Sequence, residues 1–169
     1  PVWNGSKVTG YGVGLAYHGI STSRSTPDWS AASILLNQDG TLTYRTGIVE
    51  IGQGSPFGHI KIVSEILGVS PERINIELPD TDSTLNAKPT HGSRGLMLGG
   101  TAAAKAAIKL RESLVNCAAE LFDCEPEDVD LRDEVAYNKN RRDQIIPFNE
   151  LAEEVYIRGY DPGAYGYFK

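Results

Sequence analysis

The stretch LGGTAAAKAAIKLRESLVNCAAELF, residues 98–122, predicts the element around which the rest of the chain is organised. It is rich in alanine, which has the highest helix propensity of the amino acids. Its apolar residues recur every three or four positions and share one helix face; they are Ala103, Ala107, Leu110, Leu114, Cys117 and Leu121. We therefore expect a long helix that buries this face against the other elements.

The N-terminal third of the chain has the patterns of strands. Residues 8–17 alternate between large apolar and small side chains, which is typical of a strand with one nearly bare face. A polar loop is expected over 21–30. Residues 32–36 and 41–46 flank the turn sequence Gln-Asp-Gly and predict a hairpin.

Helical and strand patterns alternate through the remainder. The segment after Gly52 has helical spacing as far as Gly68. Asn149 is expected to cap a last helix that runs to about Ile157 and stops before Gly159. Short strands are predicted over 73–78, 129–131 and 135–137.

Two parts of the chain follow the same plan. Residues 70–76 and 125–131 each leave a helix through a Pro-Glu turn and enter an alternating strand, and each helix follows a glycine-bearing loop. The sequence thus predicts two loop–helix–turn–strand units, at about 47–78 and 90–131. Either an internal duplication or the recurrence of a common local pattern explains the two units.

Length and composition fit one globular domain. The 169 residues are 40% hydrophobic and 22% charged, which is ordinary for such a domain. We expect an α+β fold with a mixed sheet and at least three helices, and we treat residues 1–169 as one domain that is a fragment of a longer polypeptide. No apolar run approaches the roughly 20 residues that cross a bilayer, and no secretory leader is visible, so a cytoplasmic location is expected.

The charge distribution argues against nucleic acid as a partner. The net charge is −6, whereas nucleic-acid binders usually carry a basic face. The acidic excess lies in residues 120–169, which hold 13 Asp or Glu and 6 Lys or Arg. One hypothesis is an interaction domain that docks a partner through this acidic end. Cys117 and Cys124 belong to no ligand motif and are expected to be reduced thiols.

Two glycine-bearing loops at predicted helix starts are the candidates for chemistry. A helix start presents unpaired N–H groups and a positive dipole end, and glycine allows a ligand to approach them. Residues 50–54, Glu-Ile-Gly-Gln-Gly, supply a side-chain amide, and residues 90–94, Thr-His-Gly-Ser-Arg, supply two hydroxyls and a guanidinium. Together they predict a cradle for a polar, phosphate-rich ligand. The alternative is that both are only turns and helix caps.

Other familiar sites are not supported. The Gly-x-Gly-x-Gly of residues 10–14 opens no helix, and the chain has no Gly-Lys-Ser/Thr phosphate loop. The three histidines, His18, His59 and His91, lack the spacing of metal ligands, so no protein-ligated metal is expected. No serine occupies a nucleophile elbow.

Residues 39–121 resemble the molybdopterin-binding region of the xanthine dehydrogenase/aldehyde oxidase family of molybdenum hydroxylases. The resemblance rests on Thr46–Gly54 (TGIVEIGQG), on Leu-Gly-Val at 67–69 with Pro71, and on Asp-Thr at 80–81. It continues through Thr90–Arg94 (THGSR) and Gly-Gly at 99–100 into the alanine-rich helix. The family's order and spacing are kept over half of the chain.

The resemblance implies which residues hold the cofactor. The protein positions the pterin mainly by hydrogen bonds. Gln53 would touch the pterin, with Gly52 and Gly54 giving it room. Thr90, Gly92 and Ser93 would line the cofactor loop near the metal and its phosphate. Glu50 is expected to be a hydrogen-bonded structural carboxylate.

Three positions qualify the match to the family. Arg94 fits the family's Ser-Arg pair, where a structural role is as plausible as a binding one. Gly95 stands where relatives often place a serine that adds a cofactor hydrogen bond. His91 occupies a position that is usually small, so its side chain is expected to point away.

The resemblance also implies a reaction and partners. The family hydroxylates aldehydes or N-heterocycles with water as oxygen source, using molybdopterin, here expected in its cytosine dinucleotide form. Iron–sulfur (2Fe-2S) and FAD centres would lie on partner domains or subunits, beside the remainder of the large subunit. The catalytic glutamate motif is not in this sequence, so this piece alone should be inactive. The alternative is a non-catalytic binding or assembly module that kept the fold and lost the cofactor, as the departures at Gly95 and His91 would suggest.

Overall fold

A computed structural model describes residues 1–22 and 25–169 of the chain. Its elements, in chain order, are β1 (Val2–Asn4), β2 (Lys7–Thr9), β3 (Ser30–Leu36), β4 (Leu42–Thr46), α1 (Ser55–Leu67), β5 (Ile74–Glu77), a π-helical turn (Gly95–Gly99), α2 (Gly100–Phe122), β6 (Val129–Arg132), β7 (Val135–Asn138), β8 (Ile145–Pro147), α3 (Phe148–Arg158) and β9 (Gly163–Phe168). Short 3₁₀ turns precede β5 and β6. The α+β class and the three helices agree with the sequence-based prediction.

The central sheet is mixed and has the strand order β5-β4-β3-β9. β3 pairs antiparallel with both β4 and β9, and the β3–β4 hairpin turns where the sequence predicts it. β5 pairs parallel with β4, because α1 carries the chain back across the sheet before β5 begins. Two smaller antiparallel sheets are formed by β1-β2 and by β6-β7-β8.

The long helix α2 packs on the central sheet, and at one point the backbones of helix and strand are so close that no side chain fits between them. A Cβ added at Gly166 of β9 would overlap the carbonyl oxygen of Ala102 and lie 2.6 Å from the nitrogen of Ala106. The alanine-rich face of α2 thus lies directly against a glycine in the strand. Around it, α2 also contacts α1, α3, β3 and the small sheet of β6 and β7. The alanine pattern therefore positions nearly every other element.

The predicted strand over residues 8–17 is wrong. The strand ends at Thr9, and residues 10–19 have no regular secondary structure. Their large side chains are almost fully exposed, at 91%, 94%, 97% and 100% for Tyr11, Val13, Leu15 and Tyr17. A strand requires a hydrogen-bonded neighbour, and no described residue pairs with this segment. The close packing that its bare face predicts occurs at β9 instead, which the sequence reading missed.

The predicted cap at Asn149 is also wrong, because the cap position is Pro147, two residues earlier, and the start of α3 has no side-chain cap. The predicted stop is correct: Gly159 adopts a left-handed conformation with φ of 75° at the end of the helix. Within the predicted loop of residues 21–30, Ser23 and Arg24 lie outside the described residues, and Ser30 already belongs to β3. None of the helices described combines the length and apolar character that crossing a bilayer requires.

Candidate functional site

Two loops that precede helices meet at one edge of the central sheet. We call residues 49–54, before α1, the first loop, and residues 87–95, before and into the π-helical turn, the second loop. The Thr90 hydroxyl accepts a hydrogen bond from the Val49 N–H at 2.9 Å and donates one to the Val49 carbonyl at 3.0 Å. This double contact fastens the loops side by side, although 41 residues separate the two partners in sequence.

A cleft of about 540 Å³ lies between the two loops. This volume is in the range of small-molecule and cofactor sites. The cleft is lined by Ile51, Gln53, Gly54, Ser55, Gly58, Thr90, His91, Gly92, Ser93, Gly95 and Leu96. Five of the six predicted cofactor residues are among these, and the sixth, Gly52, lies beside them in the first loop. The structure therefore brings together residues that the sequence places in separate motifs.

A larger cleft, of about 640 Å³, lies between the end of α1 and the β6–β7 hairpin. It lacks groups that call for a ligand. Glu134 accepts a hydrogen bond from the Ser70 N–H at 2.6 Å and pairs with Arg73. Because these charges already satisfy one another, we assign the candidate site to the cleft between the loops.

In the first loop, the N–H groups at the start of α1 are already taken. Glu50 Oε1 accepts hydrogen bonds from the N–H groups of Gly52, at 2.6 Å, and Gly54, at 3.0 Å. Backbone N–H groups, that of Gly54 most of all, lower the pKa of Glu50 below its ordinary value. The chain thus supplies its own anion at this helix start. The expectation of an open N–H cradle is wrong here, while that of a hydrogen-bonded Glu50 is correct.

The side chain of Gln53 is hydrogen-bonded within its own loop. Its Oε1 accepts from the Ile51 N–H at 2.7 Å, and its Nε2 donates to the Val49 carbonyl at 3.0 Å and to Ser55 Oγ at 2.9 Å. Both N–H bonds of the amide are therefore used, whereas Oε1 keeps a second lone pair. Contact between Gln53 and a cofactor stays a prediction.

The second loop has the opposite arrangement of backbone groups. The N–H groups of residues 90–93 donate no hydrogen bond to any described residue. Gly92 and Ser93 both have left-handed backbones, with φ of 54° and 61°. A left-handed conformation is uncommon for serine and marks a backbone held by its surroundings. All four residues line the cleft, so this loop is the part of the site that can receive hydrogen-bond acceptors.

Arg94 does not enter the cleft as a binding group. Its side chain is fully buried and pairs with Asp28, with 2.7 Å between Nη2 and Oδ1. The sequence offers this guanidinium as a candidate binding group, and the resemblance leaves its role open between binding and structure. The sequence does not indicate Asp28, which lies 66 residues away. No sequence signal links the two positions.

A buried histidine supports the site from below. His59 is fully buried, with Nδ1 2.9 Å from the Tyr44 hydroxyl and Nε2 2.9 Å from the Gly95 carbonyl oxygen. Burial lowers the pKa of His59. A carbonyl oxygen only accepts, so Nε2 carries the proton and Nδ1 accepts from the tyrosine. Helical spacing could have found this residue, since Ser55, His59 and Val63 share the buried face of α1.

No cluster of three or more His, Cys, Asp or Glu side chains arranged to hold a metal ion occurs in the part of the chain that the structure describes. Neither thiol has the environment of a reactive cysteine, because burial raises the pKa of Cys117 to about 11 and also raises that of Cys124. The site is thus suited to hold a ligand through backbone and uncharged polar groups.

Comparison with known proteins gives the context of this cleft. The model of the family described as a molybdopterin cofactor-binding domain matches residues 3–169. The chain is 37% identical over 94 residues to the aldehyde oxidoreductase of Megalodesulfovibrio gigas, covering 54% of this chain and 10% of that protein. It is 33% identical to a putative xanthine dehydrogenase molybdenum-binding subunit of Escherichia coli K12, covering 66% of this chain and 15% of that subunit.

Solved structures show the same fold. The crystal structure of quinoline 2-oxidoreductase from Pseudomonas putida 86 superimposes with a TM-score of 0.77 at 22% identity, over 85% of this chain and 19% of that one. At this identity the likeness concerns the fold alone. The chain spans a fifth or less of the length of each of these three proteins.

Proposed function

Because the chain belongs to the family of molybdopterin cofactor-binding domains, we propose that the cleft between its two loops is where the molybdopterin is held, in the cytosine dinucleotide form. Residues 1–169 act as one domain within the large subunit of a molybdenum-dependent oxidoreductase. That enzyme hydroxylates aldehydes or N-heterocycles and takes the oxygen from water. When bound, the cofactor supplies the molybdenum and the two-electron redox chemistry.

One observation carries this proposal: residues 90–93 line the cleft, and their four N–H groups have no hydrogen-bond partner among the described residues. Unpaired backbone donors near a helix start suit an anionic group such as a phosphate. At Gly52 and Gly54 no atom lies where a side chain would stand, so the backbone there is open to close approach. The residues present therefore fit a large, polar, phosphate-bearing cofactor.

The two loops divide the cofactor between them. The ionised Glu50 disfavours a second anion at the start of α1, so the first loop takes the uncharged pterin, where the free lone pair of Gln53 accepts from a ring N–H. The phosphate lies at the second loop, near Gly92 and Ser93. The hydroxyl of Thr90 is committed to Val49, so this residue acts through its N–H and by fastening the loops.

Substrate and redox partners come from outside the chain. The relatives it matches are far longer, and the catalytic glutamate motif of the family is not in these 169 residues. The small-molecule substrate, the 2Fe-2S clusters and FAD are therefore assigned to the remainder of the large subunit and to its partner domains or subunits. The domain alone positions the cofactor and is inactive.

The test uses the complete large subunit with its partners, purified from a host that makes the cofactor. Molybdenum per subunit and the nucleotide released by acid are measured. We expect near-stoichiometric molybdenum and a cytosine nucleotide. A subunit without molybdenum or pterin would instead identify a non-catalytic module that kept the fold.

Gln53→Ala tests the first loop. We expect about a tenfold lower molybdenum content, in the range seen when groups that orient a metal site are removed. Gln38→Ala, at an exposed position of the β3–β4 turn, is the matched control and should leave the content unchanged. The melting temperature is measured alongside, because Gln53 also ties its own loop together. Unchanged molybdenum in the Gln53 variant would remove this residue from the site.

A further inference from the structure

The guanidinium of Arg94 gathers backbone carbonyls from two separate segments. Its Nη2 donates to the carbonyl of Trp29 at 2.6 Å and to that of Ala87 at 2.8 Å, and its Nη1 donates to that of Pro89. A buried arginine that donates to three main-chain carbonyls fixes the course of that chain. The second loop is thereby anchored to the entry of β3.

The positive charge of Arg94 is neutralised by a carboxylate of the chain itself and not by a ligand. Both oxygens of Asp28 lie within 3.1 Å of Nε, and the carboxylate is nearly buried, with 9% of its side chain exposed. The guanidinium holds the pKa of Asp28 far below its usual range. Because this pair is closed on itself, Arg94 is not a phosphate ligand, although arginine is a common one.

The inward carbonyls determine where the loop N–H groups point. In a planar trans peptide, the N–H is directed opposite to the C=O of the same unit. The Pro89 carbonyl faces Arg94, so the Thr90 N–H faces away from it, on the side of the cleft. The guanidinium thus accounts for the direction of the Thr90 N–H, the first of the four unpaired donors of the second loop.

A second link closes the back of the loop. The Ser21 N–H donates to the Gly92 carbonyl at 2.9 Å, and the Ser21 hydroxyl donates to Asp28 at 2.5 Å. A Cβ at Gly92 would lie 3.0 Å from the Ser21 carbonyl oxygen, and φ is 54°, so both the close contact and the left-handed backbone favour glycine here. Arg94, Asp28, Ser21 and Gly92 form a closed ring of hydrogen bonds and covalent bonds behind the cofactor-facing surface.

We propose that Arg94 and Asp28 are a positioning pair for the cofactor: without touching it, they hold the second loop in the form whose N–H groups face the cleft. This inference rests on the proposed function of the cleft. It assigns a role to Arg94, for which the family match alone allows either a cofactor-binding or a structural role. It also distinguishes this loop from one that binds phosphate through a charged side chain.

The principal test is Arg94→Lys in the complete, partner-bound subunit. Lysine keeps the charge, but its single ammonium cannot reach Asp28 and three carbonyls together. We expect molybdenum per subunit to fall about tenfold, as for other residues that orient a metal site. In the fraction that retains the metal, we expect an altered Mo(V) electron paramagnetic resonance spectrum. A variant that keeps wild-type molybdenum content and spectrum would overturn the proposal.

Loss of stability alone must be separated from loss of positioning. Leu114→Ala, in the core contact of α2 and remote from the cleft, is the matched destabilised control, and melting temperatures are measured for both variants. We expect Leu114→Ala to keep its molybdenum even where its melting temperature falls as far. An equal loss of molybdenum in this control would show that Arg94 matters only for stability and would also overturn the proposal.

Ser21→Ala is the milder variant, and it stays informative if Arg94→Lys does not fold. It removes one hydrogen bond to Asp28 and leaves the ion pair intact. We expect a small decrease in melting temperature and about a threefold lower molybdenum content, the effect of one hydrogen bond of ordinary strength. If Arg94→Lys does not fold, a wild-type molybdenum content in Ser21→Ala would overturn the proposal that Arg94 and Asp28 position the loop. If the wild-type subunit itself holds no molybdopterin, the proposed function fails instead.

Discussion

The two loops that form the cleft both contain glycine and both precede helices. Their side chains, however, bind opposite backbone groups. In the first loop, the carboxylate of Glu50 takes up N–H groups. In the second loop, the guanidinium of Arg94 takes up carbonyls, and the N–H groups of residues 90–93 have no partners among the described residues. A glycine motif before a helix therefore does not by itself make an anion site. The charge of the nearby side chain decides which backbone groups remain for a ligand.

The helices that follow these loops also begin differently. α1 starts directly after Gly54, whose φ is 76°. α2 is preceded by the π-helical turn of residues 95–99. π-helical turns are rare and occur often at functional sites. Gly99 of this turn packs on the buried histidine, since a Cβ there would lie 2.9 Å from His59 Cε1. The irregular start thus belongs to the loop with open donors.

Removing the anion from the first loop should give the largest effect. In Glu50→Gln, the amide offers a weaker acceptor to the N–H groups of Gly52 and Gly54. We expect a lower melting temperature and lower molybdenum content at neutral pH. Because the pKa of Glu50 is lowered in the folded protein, its stabilising effect is present above the ordinary value of 4.5 and is lost as pH falls through the folded value. The two proteins should therefore converge in acid.

Glu65→Gln is the matched control for this change, because Glu65 is exposed on α1, the helix that follows the first loop. Thermal unfolding of the three proteins is followed as a function of pH. Equal melting temperatures for wild type and Glu50→Gln at neutral pH would show that the first loop does not depend on its internal anion. The contrast between the loops would then lose its electrostatic basis.

Sequence patterns sufficed where one element dictates its own form. The alanine stripe of α2, the β3–β4 hairpin and the glycine stop of α3 are local signals, and all were predicted correctly. The strand over residues 8–17 was not, because alternation shows only that a segment suits a sheet and cannot show whether a neighbour exists. The strand β9 was missed, because it pairs with β3, about 130 residues away along the chain. Non-local pairing of this kind leaves little trace in the strand's own sequence.

The candidate site shows the same limit. The motifs around Gln53 and Gly92 were found in the sequence, and the fold brings them together at one cleft. The groups that set their electrostatics were not all found. Glu50 was read as a structural carboxylate, but Asp28 carries no local signal for a partner 66 residues away. A motif thus predicts the place where a ligand binds. It predicts less well which charged side chains determine the backbone groups that remain for the ligand.

Removing the hydroxyl of residue 55, or moving it to residue 95 on the other loop, should have an intermediate effect. A Cβ added at Gly95 would lie 2.8 Å from Ser55 Oγ, so the hydroxyl of Ser55 occupies the space of a side chain at position 95. Ser55 is 6% exposed, and its O–H donates to no described residue. We infer that Ser55 supplies the hydroxyl that the resemblance places at residue 95. Ser55→Ala should lower the molybdenum content about threefold, the effect of one hydrogen bond.

The reciprocal variants sharpen this prediction. Gly95→Ser alone should lower the stability by about 1–3 kcal/mol through overpacking against Ser55. The double variant Ser55→Ala/Gly95→Ser removes the clash and restores a hydroxyl from the other loop, so both melting temperature and molybdenum content should recover. Ser6→Ala, at an exposed position of the β1–β2 turn, serves as the neutral serine control. If the double variant is no better than the sum of the single ones, the two positions do not share one space.

The smallest effect concerns the histidine beneath the second loop. Burial lowers the pKa of His59 below its ordinary 6.5, so the unfolded chain takes up a proton at a higher pH than the folded one. The contribution of the neutral ring to stability is therefore complete above pH 6.5 and declines as pH falls toward the folded value. We expect the melting temperature of the wild type to decrease between about pH 7 and 5, and His59→Gln to flatten this dependence. His91→Gln, at an exposed residue of the second loop, is the control variant. A wild-type slope in His59→Gln would mean that the proton is taken up elsewhere, and the support of the Gly95 carbonyl by a neutral imidazole would lose its pH signature.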